Sequence, residues 1–179
     1  MRTQSLDHLL GKIEEAVCSI DKTSQERLID SILKARTVFI YGSGRSGLVG
    51  QLFAVRLVQM GLDVHFVGDM TTPIIGKEDL TILISNTGET MSAVQTANIA
   101  RRIGSEVICV TGNSSSKLAH ASNFVIEVKH DGKADSQYAP LGTIFEDAVS
   151  IFFDSIVPCI MKKKGIDESD MRKRHAIWV

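Results

Sequence analysis

The chain has 179 residues, 44% apolar and 23% charged, enough for one domain with an ordinary buried core. Its 20 basic and 21 acidic side chains give a formal charge of −1, and without a Lys/Arg block or acidic tail there is no electrostatic footprint for nucleic acid. The longest apolar stretches, such as Ile151 to Met161, are broken by Asp154 and Pro158 and fall short of the ~20 residues a membrane span requires.

Met1-Arg2-Thr3-Gln4 leads into mixed sequence without a signal-peptide apolar block, which predicts a cytoplasmic protein. Leu6, Leu9, Leu10, Ile13, Ala16, Val17 and Ile20 recur every three or four residues and predict an amphipathic helix. Thr23-Ser24-Gln25-Glu26 reads as a capping box opening a second helix, with Leu28, Ile29, Ile32 and Leu33 on its apolar side. After Ala35 the pattern changes. Thr37 to Tyr41, Val64 to Val67, Leu80 to Ile84, Glu106 to Val110 and Phe124 to Val128 are short runs rich in Val, Ile and aromatics, the signature of buried strands. Between them, Val49 to Met60 and Val94 to Ile103 carry helical spacing and stop before Gly61 and Gly104, where a left-handed cap is expected.

Strands alternating with helices predict parallel pairing through right-handed crossovers, hence an α/β/α sandwich with a five-stranded parallel sheet and extra terminal helices. A last long helix is expected from Ile144 to Met161, with Pro158 as a candidate kink and Lys162-Lys163-Lys164-Gly165 as its close. The polar stretch from Lys129 to Ala139 reads equally well as a binding loop or as a solvated connection. The three cysteines, Cys18, Cys109 and Cys159, are too scattered for a disulfide framework or a metal knuckle, and no histidine spacing suggests a metal site.

The chemistry is concentrated after the first and third strands. Tyr41 runs into Gly42-Ser43-Gly44-Arg45-Ser46-Gly47, and Ile84 runs into Ser85-Asn86-Thr87-Gly88-Glu89-Thr90. Aligned at Gly44 and Gly88, both read hydroxyl, glycine, charge, hydroxyl. Glycine lets the backbone approach a ligand, a helix N-terminus presents amides to an anion, and hydroxyls supply rotatable donors. Ser and Thr are also ordinary N-caps, and one such turn carries little. Two of them, in a sheet of order 2-1-3-4-5, meet at the topological switch point, where small phosphorylated ligands bind. The first turn also satisfies the dinucleotide fingerprint G-x-G-x-x-G, with Asp69 placed as the ribose carboxylate, so a nicotinamide-binding protein is a competing reading. That fingerprint does not account for the second hydroxyl-rich turn.

At these residues the sequence resembles the SIS (sugar isomerase) family, and within it the single-domain 6-phospho-3-hexuloisomerase family. The resemblance spans nearly the whole chain: the leading helices, both turns, Phe66-Val67-Gly68-Asp69 with Thr71-Thr72-Pro73, Pro140-Leu141-Gly142-Thr143-Ile144-Phe145-Glu146, and Lys173-Arg174-His175. It implies one SIS domain over residues 1–179, with N-terminal helices in 1–35, the core sheet and its helices in 36–128, and C-terminal helices and tail in 143–179. It also implies interconversion of 3-hexulose 6-phosphate and fructose 6-phosphate through an enediol in the ribulose monophosphate pathway, with no cofactor or metal. The partner would be a phosphorylated sugar, and the assembly a homotetramer with sites near subunit interfaces. Another SIS phosphosugar isomerase and a non-catalytic phosphosugar-binding module remain alternatives.

The resemblance assigns the phosphate to the turn containing Ser85, Asn86, Thr87, Gly88 and Thr90, and phosphate or sugar oxygens to Ser43, Gly44, Arg45 and Ser46. Acidic Glu89, next to an anion site, is expected to face solvent or a cation. Glu146 has two readings. Thr143-Ile144-Phe145-Glu146 fits a capping box, in which Glu146 only reaches back to the Thr143 amide. The resemblance makes Glu146 the catalytic base instead, and brings His175 into a neighbouring subunit's site as proton donor or carbonyl polariser.

Overall fold

The computed structural model describes residues 3–131 and 137–175. In chain order the elements are α1 (Gln4–Cys18), α2 (Lys22–Lys34), β1 (Val38–Gly42), α3 (Arg45–Gln59), β2 (Val64–Phe66), β3 (Leu80–Ser85), α4 (Met91–Ile103), β4 (Glu106–Thr111), α5 (Lys117–His120), β5 (Phe124–Glu127), a 3-10 turn (Pro140–Gly142), α6 (Thr143–Lys164) and α7 (Glu168–Lys173). All strand pairs are parallel, in the order β2-β1-β3-β4-β5. The fold class is the one the alternation predicts, and the strand order is the 2-1-3-4-5 arrangement that sets the two hydroxyl-rich turns side by side.

Alternation along the strands separates two cores. Val38, Ile40, Leu80, Ile82, Ile84, Ile108 and Val110 face a cluster completed by α1, α2, α3 and the long α6. Leu83, Val107 and Cys109 face the other way, onto α4 and α5. Within the first core the Phe53 and Phe153 rings stack at 4.1 Å with planes 8° apart, tying α3 to α6. Burial of Cys109 pushes its thiol up to about 11, as expected for a packing residue. At Gly47 a β-carbon would come within 2.5 Å of the Gly42 carbonyl oxygen, so α3 starts in direct backbone contact with the strand it follows.

Some local signals resolve differently from their sequence reading. Helix α2 opens at Lys22, and its cap is Asp21, whose carboxylate accepts from the Ser24 amide (2.9 Å) and hydroxyl (2.7 Å); Thr23 and Glu26 form no capping box. Asp21 wins because its two oxygens take both Ser24 donors. Pro158 lies inside α6 without ending it, and the helix closes at Gly165, in left-handed conformation, after its three lysines. Gly61 and Gly104 also take positive φ, as predicted. Helix α5 carries too few residues to show apolar periodicity and is not expected from the sequence; α7 falls within the 143–179 segment of C-terminal helices and tail, and has its own capping box between Asp167 and Asp170.

Candidate active site

β1 and β3 lie side by side, paired from Val38↔Leu80 to Gly42↔Ile84, and α3 and α4 leave their carboxyl ends toward opposite faces of the sheet. The two hydroxyl-rich turns therefore meet at the switch point. There they border a cleft of 370 Å³ lined by Ser43, Ser46, Ile84, Ser85, Asn86, Thr87, Thr90, Leu141, Gly142 and Glu146.

The first turn delivers α3 without a side-chain cap, since its N-cap is Gly44 at φ 58°. The second delivers α4, whose N-cap Thr90 does not cap its own helix; its hydroxyl lies 3.3 Å from Ser85 Oγ. Two helix N-termini open at one cleft with no side chain capping them, so their first amides are available to an anionic group. The second turn is braced from below. Gly88 donates its amide to Ser85 Oγ (3.2 Å), its carbonyl accepts from Leu118 N (2.9 Å), and the Asn86 carbonyl accepts from Gly112 N (2.9 Å) and Thr111 Oγ1 (3.2 Å). A β-carbon on Gly88, at φ 65°, would fall 2.0 Å from Ser116 Oγ. Glu89 turns away and pairs with Lys117 (2.8 Å), which holds its carboxyl below the ordinary range; the acidic residue of the second turn thus pairs with a cation, as expected.

Glu146 forms the opposite wall. It is buried in the first turn of α6, accepts from Arg45 Nε through Oε2, and has Oε1 3.4 Å from Ser46 Oγ. The capping-box reading of Glu146 is not realised: Gly142 is the N-cap, and Thr143 Oγ1 donates to the Pro140 carbonyl at 2.6 Å. A carboxylate withdrawn from solvent, with one oxygen beside a hydroxyl and the other on a half-exposed guanidinium, can take and return a proton inside the cleft. Arg45, assigned to the ligand by resemblance, rests here on Glu146, with Asp147 4.0 Å from its other end.

Seven predicted residues thus line one cleft: Ser43, Ser46, Ser85, Asn86, Thr87, Thr90 and Glu146. Gly44 and Gly88 shape its turns. His175 is elsewhere, beside Arg56 and Gln59 near the far end of α3. Eleven residues of helix at ~1.5 Å each separate that level from Arg45. Asp69, the candidate ribose carboxylate, also lies outside the cleft, in a groove of 610 Å³ between α3 and β2 that His175 shares. Another cleft, of 670 Å³, sits at the amino-terminal edge of the sheet, where Arg36 is already engaged by Asp79.

Three contributors escape pattern reading. Leu141, 96% exposed at φ 55°, stands at the mouth of the cleft in a conformation costly for a side chain with a β-carbon; Gly142 follows it. His130 reaches Asn86 from the connection after β5. In the sequence only Pro140-Leu141-Gly142 and the polar stretch Lys129 to Ala139 point toward them, and residues 132–136 of that stretch lie outside the described residues. Among the described residues no group of three or more His, Cys, Asp or Glu side chains could hold a metal, and no helix is long and apolar enough to cross a membrane.

Comparison with known proteins adds to this geometry. The model of the SIS domain matches residues 31–145. A Methanocaldococcus jannaschii protein named 3-hexulose-6-phosphate isomerase is 41% identical over 155 residues, covering 86% of this chain and 83% of that one. A Bacillus subtilis protein of the same name is 32% identical over 179 residues, covering 97% of each. A crystal structure from Methanococcus jannaschii, from which a 3-hexulose-6-phosphate isomerase function was inferred, superposes with a TM-score of 0.90 at 34% identity over 99% of this chain and 100% of that one.

Proposed function

This chain belongs to the SIS-domain family, and on that premise we propose that it is a phosphosugar isomerase interconverting 3-hexulose 6-phosphate and fructose 6-phosphate. The observation that carries the proposal is Glu146, one buried carboxylate facing a cleft that also presents the hydroxyls of Ser43, Ser46, Ser85, Thr87 and Thr90 and two uncapped helix ends. The archaeal and bacterial relatives named for this reaction support the choice of substrate.

Moving the carbonyl from C3 to C2 requires a proton to leave the carbon beside it. Glu146 takes the C2 proton; the C–H electron pair becomes the C2–C3 double bond, and the former carbonyl oxygen O3 gains a proton. The 2,3-enediol then collapses: Glu146 returns its proton to C3 and the O2 hydroxyl loses its own, leaving the C2 ketone. Atoms and electrons balance within the substrate, and one carboxylate serves both transfers. Ser85, Thr87, Thr90 and the first amides of α4 hold the phosphate, while Ser43 and Ser46 with the start of α3 meet phosphate or sugar oxygens from the other side. Arg45 is released from Glu146 to the substrate when the site fills.

The working form in this reading is a cytoplasmic homotetramer with sites near subunit interfaces. Leu48, Leu52, Val55 and Val58 follow one another along an exposed side of α3, with exposed Met70 and Ile74 in the loop after β2, an apolar surface of the kind a second copy covers. His175, three helical turns from its own cleft, serves a neighbour's site. The deciding experiment is to incubate the protein with fructose 6-phosphate in deuterated water and follow exchange by NMR. Loss of the C3 proton with appearance of a 3-ketose is expected. Binding without exchange would identify a phosphosugar-binding module instead, and exchange at C1 alone would identify a different isomerisation.

A further inference from the structure

Asn86 follows β3, and its backbone is clamped by Gly112 and Thr111. Its side-chain Oδ1 lies 2.8 Å from Nε2 of His130. An amide oxygen only accepts, so Nε2 carries the proton and donates it. With Oδ1 held by the imidazole, the NH2 end of the amide faces the other way, over Gly142. The point where a β-carbon of Gly142 would stand is 3.1 Å from Asn86 Nδ2 and 3.8 Å from Glu146 Oε1. The amide donor and the carboxylate therefore border the same small volume.

Two further features belong to this pair. A β-carbon on Gly112 would fall 2.6 Å from Asn86 Oδ1 and 2.9 Å from His130 Nε2. Gly112 is not among the glycines at positive φ, so close approach of the pair, rather than backbone conformation, explains the missing side chain. The His130 ring also lies against Phe145, centroids 6.0 Å apart, next to Glu146 in sequence. His130 thus links the turn after β3 to the first turn of α6.

The two ends of a carboxamide are nearly the same size, so sterics alone do not decide which faces the cleft. A carbonyl oxygen turned inward beside Glu146 would oppose the charge of an enediolate; an NH2 group would stabilise it. We propose that His130 is a positioning residue: it locks the Asn86 amide with its NH2 toward the substrate, where it donates to the oxygen that gathers negative charge as Glu146 takes the proton. This rests on the isomerase reading of the cleft and gives Asn86 a role at the reacting end of the sugar rather than at the phosphate.

The test measures kcat and KM for Asn86→Ala, His130→Leu, His130→Gln and the double variant Asn86→Ala/His130→Leu, with melting temperatures alongside. Asn86→Ala is expected to lower kcat about 100-fold, the scale of one lost oxyanion donor. His130→Leu should lower it at least ~10-fold with KM within ~3-fold, and His130→Gln, which keeps an N–H at similar reach, should restore most of the loss. The double variant should be no slower than Asn86→Ala, because His130 acts through Asn86. Losses that multiply in the double variant, wild-type kcat in His130→Leu, or no rescue by glutamine would each overturn the proposal. Nitrogen-15 NMR of the imidazole in the wild-type protein provides an arm independent of turnover and of variant folding: a protonated Nε2 is expected, and a bare one overturns the pairing. A wild-type protein with protonated Nε2 that exchanges no sugar proton would instead sink the isomerase reading, and with it the catalytic role of the pair.

Discussion

Replacing Glu146 by glutamine removes its basicity and its negative charge while changing little else in the cleft. The shape is kept, an oxygen remains for Arg45 or Ser46, and the site stays buried. What disappears is the ability to accept a carbon-bound proton. A positioned general base contributes roughly 10²–10⁴ in rate, or about 3–5 kcal/mol in the barrier. The stability cost is much smaller. Arg45 is 58% exposed, so water replaces the lost ion pair, which puts its contribution at about 0–1 kcal/mol. For a chain of this length that corresponds to a fall in melting temperature of at most ~4 °C. Glu146→Gln should therefore show kcat reduced at least ~100-fold, KM changed little, and a nearly native thermal transition. Turnover can be followed by NMR with 3-hexulose 6-phosphate and thermal unfolding by circular dichroism. Retention of more than about a tenth of wild-type kcat would refute the assignment of the base.

Gly88→Ala puts a β-carbon onto Ser116 at positive φ; it should cost roughly 2 kcal/mol or more in denaturant unfolding and weaken phosphosugar binding, whereas an unchanged midpoint would contradict the close packing of the turn. Burial pushes the Asp79 carboxyl up, but the Arg36 guanidinium and the Gly76 amide outweigh it and hold it below the ordinary range. A carboxyl lowered on folding stabilises above its unfolded value, ~4, and that contribution is lost as pH falls through the folded one, so Asp79→Asn should flatten the acid limb of stability below about pH 4. Parallel acid limbs in the two proteins would count against the pair. Glu146→Gln and His175→Ala subunits, each impaired alone, should regain activity when assembled together if His175 serves a neighbour's site; mixed assemblies no faster than their parents would place His175 outside it.

Strand runs of four or five residues rich in Val, Ile and aromatics, interrupted by helical spacing and left-handed glycines, were enough to read a parallel α/β sheet, because hydrophobic periodicity is a local property of sequence. The repeated pattern around Gly44 and Gly88 was legible for the same reason, and the predicted strand order brought the two turns together. Capping was less so. Thr23 and Thr143 each head a capping-box pattern, yet Asp21 outcompetes the first, and the second is dissolved by Arg45, a residue 101 positions away from Glu146. Whether Glu146 caps a helix or faces a ligand depends on which long-range partner reaches it, and no local pattern records that. The contact between Asn86 and His130 spans 44 positions and depends on the small size of Gly112 on another strand's end. What the sequence by itself determined was the strands and longer helices, their order and the chemistry offered by the two turns, all governed by interactions within a few residues. What only the tertiary structure decided was which polar groups face one another across the cleft, since the partners of a buried carboxylate or amide are chosen by packing between elements far apart in the chain.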